Sequence, residues 1–287
     1  MDLALACEAR GKRAVIINAD SAQVYADLVV LSARPTADDM RGIEHRLFGA
    51  WDGASACSAA DWADAAKREI AEVHQSGGIP ILVGGTGLYI RTLLDGIAPV
   101  PGIDPETRRT VRAMPVAEAY AALLGEDPDR AASLAPADSA RIARALEVVR
   151  STGRPLSAWQ HETTGGIGDT VSLHPLILLP DRPTLYDRCD LRFGNMLEGG
   201  AVAEVAGLLD RRLDPALPVM RAIGMPEIAG HLRGQWSLDE AQMRGAQATR
   251  NYAKRQFTWF RRQPPDSWLR TESNNVALAP LIERLLP

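Results

Sequence analysis

The chain has 287 residues, 46% apolar and 24% charged, with a formal net charge of −4. That is room for one large domain or a core with an insertion, and the apolar share supports a sizeable buried core. The charge balance excludes a globally basic nucleic-acid binder, so any such role must rest on a local basic face. No apolar run approaches the roughly 20 residues of a membrane span.

Cys7, Cys57 and Cys189 are odd in number and far apart, which gives neither a disulfide framework nor a zinc pattern and points to a reducing cytoplasm. The opening Met1–Ala6 has no positive stretch and reads as helix rather than as a signal peptide.

Residues 2–10 read as a helix stopped at Gly11, followed by a buried strand over 13–18 and a polar turn, Ala19-Asp20-Ser21. Ser58 with Asp61 has the spacing of a capping box and opens a helix to about Gln75, which Gly77-Gly78 end. A second buried strand, Ile79–Val83, runs into Gly84-Gly85-Thr86-Gly87 and another helix. This strand–turn–helix order predicts a parallel α/β sheet.

Strand signals vanish from about Asp104 to Gly168, where helices are predicted over 105–113, 116–124 and 137–152. The expected organisation is a core of residues 1–103 and 169–287 with a helical insertion at 104–168. Leu176–Pro180 reads as a strand with which the sheet resumes. Ser237 with Glu240 reads as a second capping box, opening a helix to about Arg262.

In open parallel sheets ligands bind beyond the carboxyl ends of the strands. Two such ends carry Asp20-Ser21-Ala22-Gln23-Val24-Tyr25 and Gly84-Gly85-Thr86-Gly87-Leu88-Tyr89. An Asp and a Thr at adjacent strand ends suit a site handling phosphate, a metal and a proton. The glycine pair lets backbone approach a ligand closely. Strand-end Asp and Gly-Gly turns are also common structural devices.

The stretch 250–262 interleaves five cations with four aromatics. It reads equally as a helix with a cation-rich C-terminal end that favours the macrodipole, or as a face that follows an RNA backbone. Arg141 to Arg150 places Ile142, Leu146 and Val149 on an apolar stripe with Arg141 and Arg144 beside it, the pattern of an ordinary surface helix.

Taken in order, these segments resemble the tRNA dimethylallyltransferases, the IPP transferase family. The likeness begins with Asp20 to Tyr25 as the family's D-S-x-Q-x-Y, and continues through Pro35-Thr36, His45-Arg46-Leu47 and Ser58 to Trp62. Pro80 to Tyr89 matches its P-[IL]-L-V-G-G-T-x-L-Y, and Arg141 to Val148 its R-[IL]-x-R-A-L-E-V. Arg188 to Leu197, Arg221 to Gly224 and Lys254 to Arg261 complete the series. Each match alone is weak, but nine in order are specific.

The resemblance implies a P-loop NTPase-like α/β parallel-sheet core with a helical insertion. It also implies transfer of a dimethylallyl group from dimethylallyl diphosphate to the exocyclic amine of the adenosine 3′ to the anticodon. Asp20 is then the general base, Thr86 supports the reacting centre and Mg2+, and Arg188 and Arg192 hold the diphosphate. Contacts with the tRNA anticodon stem-loop fall to Asp20, Ser21, Ala22, Gln23, Thr86 and Arg108, and to Ala140, Arg141, Ile142, Ala143 and Arg144. They continue with Arg221, Gly224, Lys254, Arg255, Gln256, Phe257, Thr258, Trp259, Phe260 and Arg261. A monomer working in the cytoplasm, off the membrane, is expected.

The family's first strand and its phosphate-binding loop G-P-T-[AG]-[AS]-G-K-[ST] have no counterpart here, because Met1–Glu8 already matches the helix that follows them. The expectation is an N-terminally truncated chain of impaired activity, since contacts of the loop's kind are each worth several kcal/mol. Before the Pro-Thr, Leu31-Ser32-Ala33-Arg34 also replaces a usual Gly-Thr-Ala-Lys. Two alternatives remain: an adenylate isopentenyltransferase or small-molecule kinase of the same fold, and a non-catalytic tRNA-binding remnant.

Overall fold

Ala14–Asn18 form β1, with all five residues buried, as a short β-branched run needs when both faces are covered. The computed structural model describes residues 1–272 and Glu283. Ahead of β1 lies helix α1 (Asp2–Glu8), and Gly11 turns the chain at φ +73°. The Ala14 N–H donates to the Glu8 carboxylate at 2.8 Å. Ala4, Cys7, Ala14, Ile16 and Ile43 form the small core beneath this corner.

A short helix α2 (Ala37–Met40) precedes β2 (Glu44–Arg46). Helix α3 (Ala59–Gln75) starts on the expected capping box: Ser58 Oγ accepts from the Asp61 N–H, and the Asp61 carboxylate accepts from the Ser58 N–H. Its inner face buries Trp62, Ala66, Ile70 and Val73. Gly77 ends it at φ +71°. Strand β3 (Ile79–Val83) then leads into α4 (Gly87–Asp95).

The three strands form a parallel sheet in the order β2-β1-β3, with Ala14 opposite Ile79 and Asn18 opposite Val83. Strand β3 departs from the expected buried strand. Its first four residues are only half-buried and Val83 is 47% exposed. The reason is its edge position, where Pro80 is tolerated because an edge needs no N–H on its outer side.

Residues 94–170 form one of two compact units, and residues 1–93 with 171–287 form the other. The first of these holds α5 (Pro105–Ala113), α6 (Val116–Glu126), α7 (Pro128–Ala132), α8 (Ser139–Thr152) and α9 (Leu156–Gln160). Asp104, Asp127 and Asp138 each cap a helix N-terminus. Val111, Leu123, Ala131, Ile142, Ala145 and Leu146 are buried together in its core.

In the larger unit β4 (Leu176–Leu178) is followed by α10 (Arg182–Glu198), α11 (Ala201–Asp210), α12 (Met225–Leu232), α13 (Leu238–Arg262) and β5 (Leu269–Thr271). Strand β4 does not rejoin the sheet. It pairs in parallel with β5 as a separate two-stranded sheet, a three-residue partner too short to read from the sequence. The second capping box is half made. Ser237 accepts from the Glu240 N–H, but the Glu240 side chain turns to Arg244 at 2.8 Å. Helices α10 and α13 pack through Gly245, whose missing side chain leaves room for the buried Phe193 ring. The three cysteines are free and buried. Among the described residues no helix is long and apolar enough to cross a membrane.

Candidate active site

The parallel pairing of β1 and β3 brings their carboxyl ends side by side, and backbone bonds extend the contact past both strands. The Ala19 N–H donates to Val83 O at 2.8 Å, and the Thr86 N–H donates to Ala19 O at 3.1 Å. A side chain at Gly84 would collide with the Ala19 backbone, so this approach requires glycine. Side chains then lock the two turns together. The Ser21 N–H donates to Thr86 Oγ1 at 2.9 Å, and the Thr86 hydroxyl reaches Ser21 Oγ at 3.2 Å.

Asp20 sits at the centre of this junction. Its N–H donates to buried Asn18 Oδ1 at 2.9 Å, and its Oδ1 accepts from Ala22 and Gln23 N–H at 2.8 and 3.2 Å. Among the described residues nothing donates to Oδ2. One carboxylate oxygen fixes the side chain and the other keeps its lone pairs for a proton or a cation. Asn18 is held in turn by Trp62, whose indole N–H donates to Asn18 O at 2.8 Å. Trp62 stacks on Tyr89 with ring centroids 4.6 Å apart. The Tyr89 hydroxyl reaches Cys57 O at 3.4 Å, and burial pushes both the phenol and the Cys57 thiol above their ordinary values.

Helix α13 closes one side of the junction. Gln256 donates to Gly85 O at 2.8 Å, and Trp259 fills the space that a side chain at Gly87 would need. Tyr252, one turn earlier on the same face, meets Thr86, Ser21 and Gln256. Burial first, and the Asp20 carboxylate second, raise its phenol above the usual tyrosine range, so it stays neutral and can donate. The sequence singled out the cations of this stretch and passed over Tyr252. The available signal was its spacing of four from Gln256.

A second group adjoins the Asp20 turn through one carbonyl. Ser32 O accepts from Gln23 Nε2 at 3.0 Å and from Arg192 Nη2 at 3.3 Å. Arg188 and Arg192 line a cavity of about 320 Å³ with Val30, Ala33, Leu191 and Met196 among its walls. The preceding loop is tied down by Glu204, whose carboxylate accepts from the N–H groups of Val29, Val30 and Leu31 at 2.7–2.9 Å. The turn, the loop and the two arginines therefore form one connected assembly.

Other expected site residues have structural duties. Ile142 is fully buried in the helical core, so its side chain is closed to RNA. Gly224 is buried at φ +95°, packed against Leu31 and Phe193. Gln256 and Trp259 face the Gly84–Gly87 turn, and Phe257 lies under Arg182 at 5.1 Å. Thr258 Oγ1 donates to Lys254 O, and Phe260 sets its ring edge to Trp259. Lys254, Arg255 and Arg261 remain exposed on α13, as do Ala140 and Arg141 at the start of α8. Arg221 is exposed as well and donates to Pro215 O at 3.3 Å. Ala143 is half-buried in the helical unit, where Arg108 and Arg144 also lie.

Residues 23–263 match the family model described as IPP transferase. A tRNA dimethylallyltransferase of Novosphingobium aromaticivorans is 66% identical over 277 residues, 96% of this chain and 99% of its own. One from Erythrobacter litoralis is 63% identical, over 99% of this chain and 89% of its own. Among solved structures, the tRNA isopentenylpyrophosphate transferase of Bacillus halodurans aligns with a TM-score of 0.66 at 30% identity, covering 98% of this chain and 88% of that one. A eukaryotic dimethylallyltransferase acting on tRNA aligns with a TM-score of 0.71 at 27% identity, over 90% of this chain and 65% of that one. With a family match across most of its length and relatives this similar, the chain belongs to the IPP transferase family.

Proposed function

We propose that the chain transfers a dimethylallyl group from dimethylallyl diphosphate to the exocyclic amine of the adenosine 3′ to the anticodon in tRNA. The amine nitrogen bonds to the allylic carbon, the carbon–oxygen bond to diphosphate breaks, and the amine proton passes to Asp20 Oδ2. The observation that carries this reading is the Asp20 carboxylate, anchored by one oxygen and open at the other, at the meeting of two strand ends. Thr86 and Ser21, braced by neutral Tyr252, fix that carboxylate's turn against β3. Arg188 and Arg192 are the groups to receive the diphosphate, with the apolar walls beside them suited to a hydrocarbon tail.

Among the described residues no three acidic, histidine or cysteine side chains cluster as a metal site. Mg2+ bound mainly by diphosphate and water needs only one or two protein oxygens, and Thr86 Oγ1 offers one while Asp20 Oδ2 stays open for the proton. There it would offset charge on the departing diphosphate. The target base has to leave the loop stack to reach Asp20. The exposed cations of α13 and the helical segment 104–168 supply the RNA contacts in this reading, and the reaction belongs in the cytoplasm.

The test is incubation of unmodified tRNA with labelled dimethylallyl diphosphate and Mg2+, using the 287-residue chain beside a version extended upstream in its own reading frame. Label in tRNA from either supports the assignment. Label on adenylate instead would favour a small-acceptor enzyme. Tight tRNA binding without label from both would leave a binding protein.

A further inference from the structure

Glu147 is 1% exposed in the middle of α8, within the buried run Ala145-Leu146-Glu147-Val148. A carboxylate there is expensive. A well-packed apolar side chain of similar volume serves stability at least as well. What the charge does is visible in its partners. Arg112 Nε donates to Oε1 at 2.7 Å, while Arg108 Nε and Arg144 Nη1 each stand 3.9 Å from Oε2. Arg108 and Arg112 share a face of α5 at a spacing of four, and Arg144 lies one turn before Glu147 on α8. Two helices thus aim three guanidinium groups at one buried carboxylate.

The arginines themselves are not buried. Their side chains are 48%, 60% and 43% exposed for Arg108, Arg112 and Arg144. Three cations held this close repel one another, and without the carboxylate each would move away into solvent. With it, they present an outward cluster of fixed geometry on a chain whose net charge is −4. Exposed Arg141 lies one turn before Arg144 on the same helix, paired with Asp138 at 3.4 Å. A fixed fork of guanidinium groups fits phosphate oxygens, and pre-ordering it lowers the entropy lost on binding.

We propose that Glu147 is a positioning residue, which gathers Arg108, Arg112 and Arg144 into a preformed receptor for the phosphate backbone of the RNA substrate. The proposal rests on the tRNA reading above and extends it to a residue that no ligand touches.

Titration of the full chain with a labelled, unmodified anticodon stem-loop at several salt concentrations tests it. Glu147→Gln keeps the shape and removes one negative charge. Charge alone would make this variant bind RNA more tightly, with a steeper salt dependence. Positioning predicts the opposite: a Kd about five- to tenfold higher, and a log–log salt slope shallower by about one. Glu147→Asp, which keeps the charge with a shorter reach, should fall between. An unchanged or lower Kd for Glu147→Gln, in a variant whose circular dichroism melt is intact, overturns the proposal. If that variant fails to fold, the exposed pair Arg108→Gln with Arg112→Gln decides. Loss of affinity supports the receptor, and wild-type affinity overturns it while leaving the tRNA reading in place. A parent chain that does not bind the stem-loop at all removes both.

Discussion

Asp20 divides its carboxylate between two tasks, and a single substitution separates them. Asp20→Asn keeps an oxygen to accept from Ala22 and Gln23 N–H but has no basic oxygen to offer. Label transfer to tRNA should fall by about 10²–10⁴, the usual worth of a positioned general base. Stem-loop affinity should stay within about twofold, because the turn is preserved. Transfer at an undiminished rate would remove Asp20 from the reaction. The meeting of Asp20 and Thr86 was readable in the sequence, since strand ends followed by polar and glycine-rich turns fix where such residues emerge. Tyr252 and Glu147 were not readable in the same way. Their roles depend on which face of a helix docks, and an amphipathic pattern gives that face only once its neighbours are known. Glu147 in particular lies off the apolar stripe of Ile142, Leu146 and Val149, so the period assigns it to a solvated face, and only the docking of α5 against α8 buries it.

Elements reveal themselves in the sequence to the extent that their determinants are local. The capping box of α3 was legible because both of its bonds lie within four residues. That of α13 was half-legible, because Arg244 competes for Glu240. Strand β2, Glu44-His45-Arg46, carries no apolar signal at all and exists through its partners. Arg46 binds Glu44, Glu69 and Glu72 at 2.6–2.9 Å, tying β2 to α3. The Arg13 and Arg46 guanidinium groups hold the Glu44 carboxyl below its ordinary value. A folded value below the unfolded one stabilises fully above the unfolded value and is lost as pH falls through the folded value. Melting temperature should therefore drop on acidification below about pH 4.3, the ordinary glutamate value. Arg13→Met, which removes the larger of the two contributions, should flatten that acid limb, and an equally steep limb in the variant would place the acid sensitivity elsewhere. Two helical glycines give a paired test of packing. Gly245→Ala forces a methyl group into the Phe193 ring, which is 1% exposed and has nowhere to move. It should destabilise by about 1–3 kcal/mol despite the better helix propensity of Ala. Gly207→Ala in α11 meets nothing within 4 Å and should stabilise by about 0.5–1 kcal/mol. Denaturant midpoints moving in the same direction would contradict the close α10–α13 contact.

At the scale of the whole molecule, charge separates RNA modification from chemistry on a small acceptor. A chain of net charge −4 and pI near 5.8 repels RNA at long range, so affinity must come from cations close enough to meet phosphates directly. Contacts of that kind release counterions, at a log–log slope of about 0.7 per phosphate on single strands and about 0.9 on duplexes. Four or five such contacts from the exposed arginines and lysine give an expected slope of about −3 to −4 for stem-loop binding. Raising salt from about 50 to 200 mM should then weaken binding by about two orders of magnitude. Adenylate, with a single phosphate, should show a slope near −1 if it binds at all. A stem-loop slope as shallow as that of adenylate would mean that the cations of α5, α8 and α13 serve only to cap and solubilise their helices. In that case the acceptor would be sought among nucleotides rather than tRNA. A steep slope with Asp20→Asn unchanged in affinity would instead separate recognition, spread over many exposed cations, from catalysis, confined to one carboxylate between two strand ends.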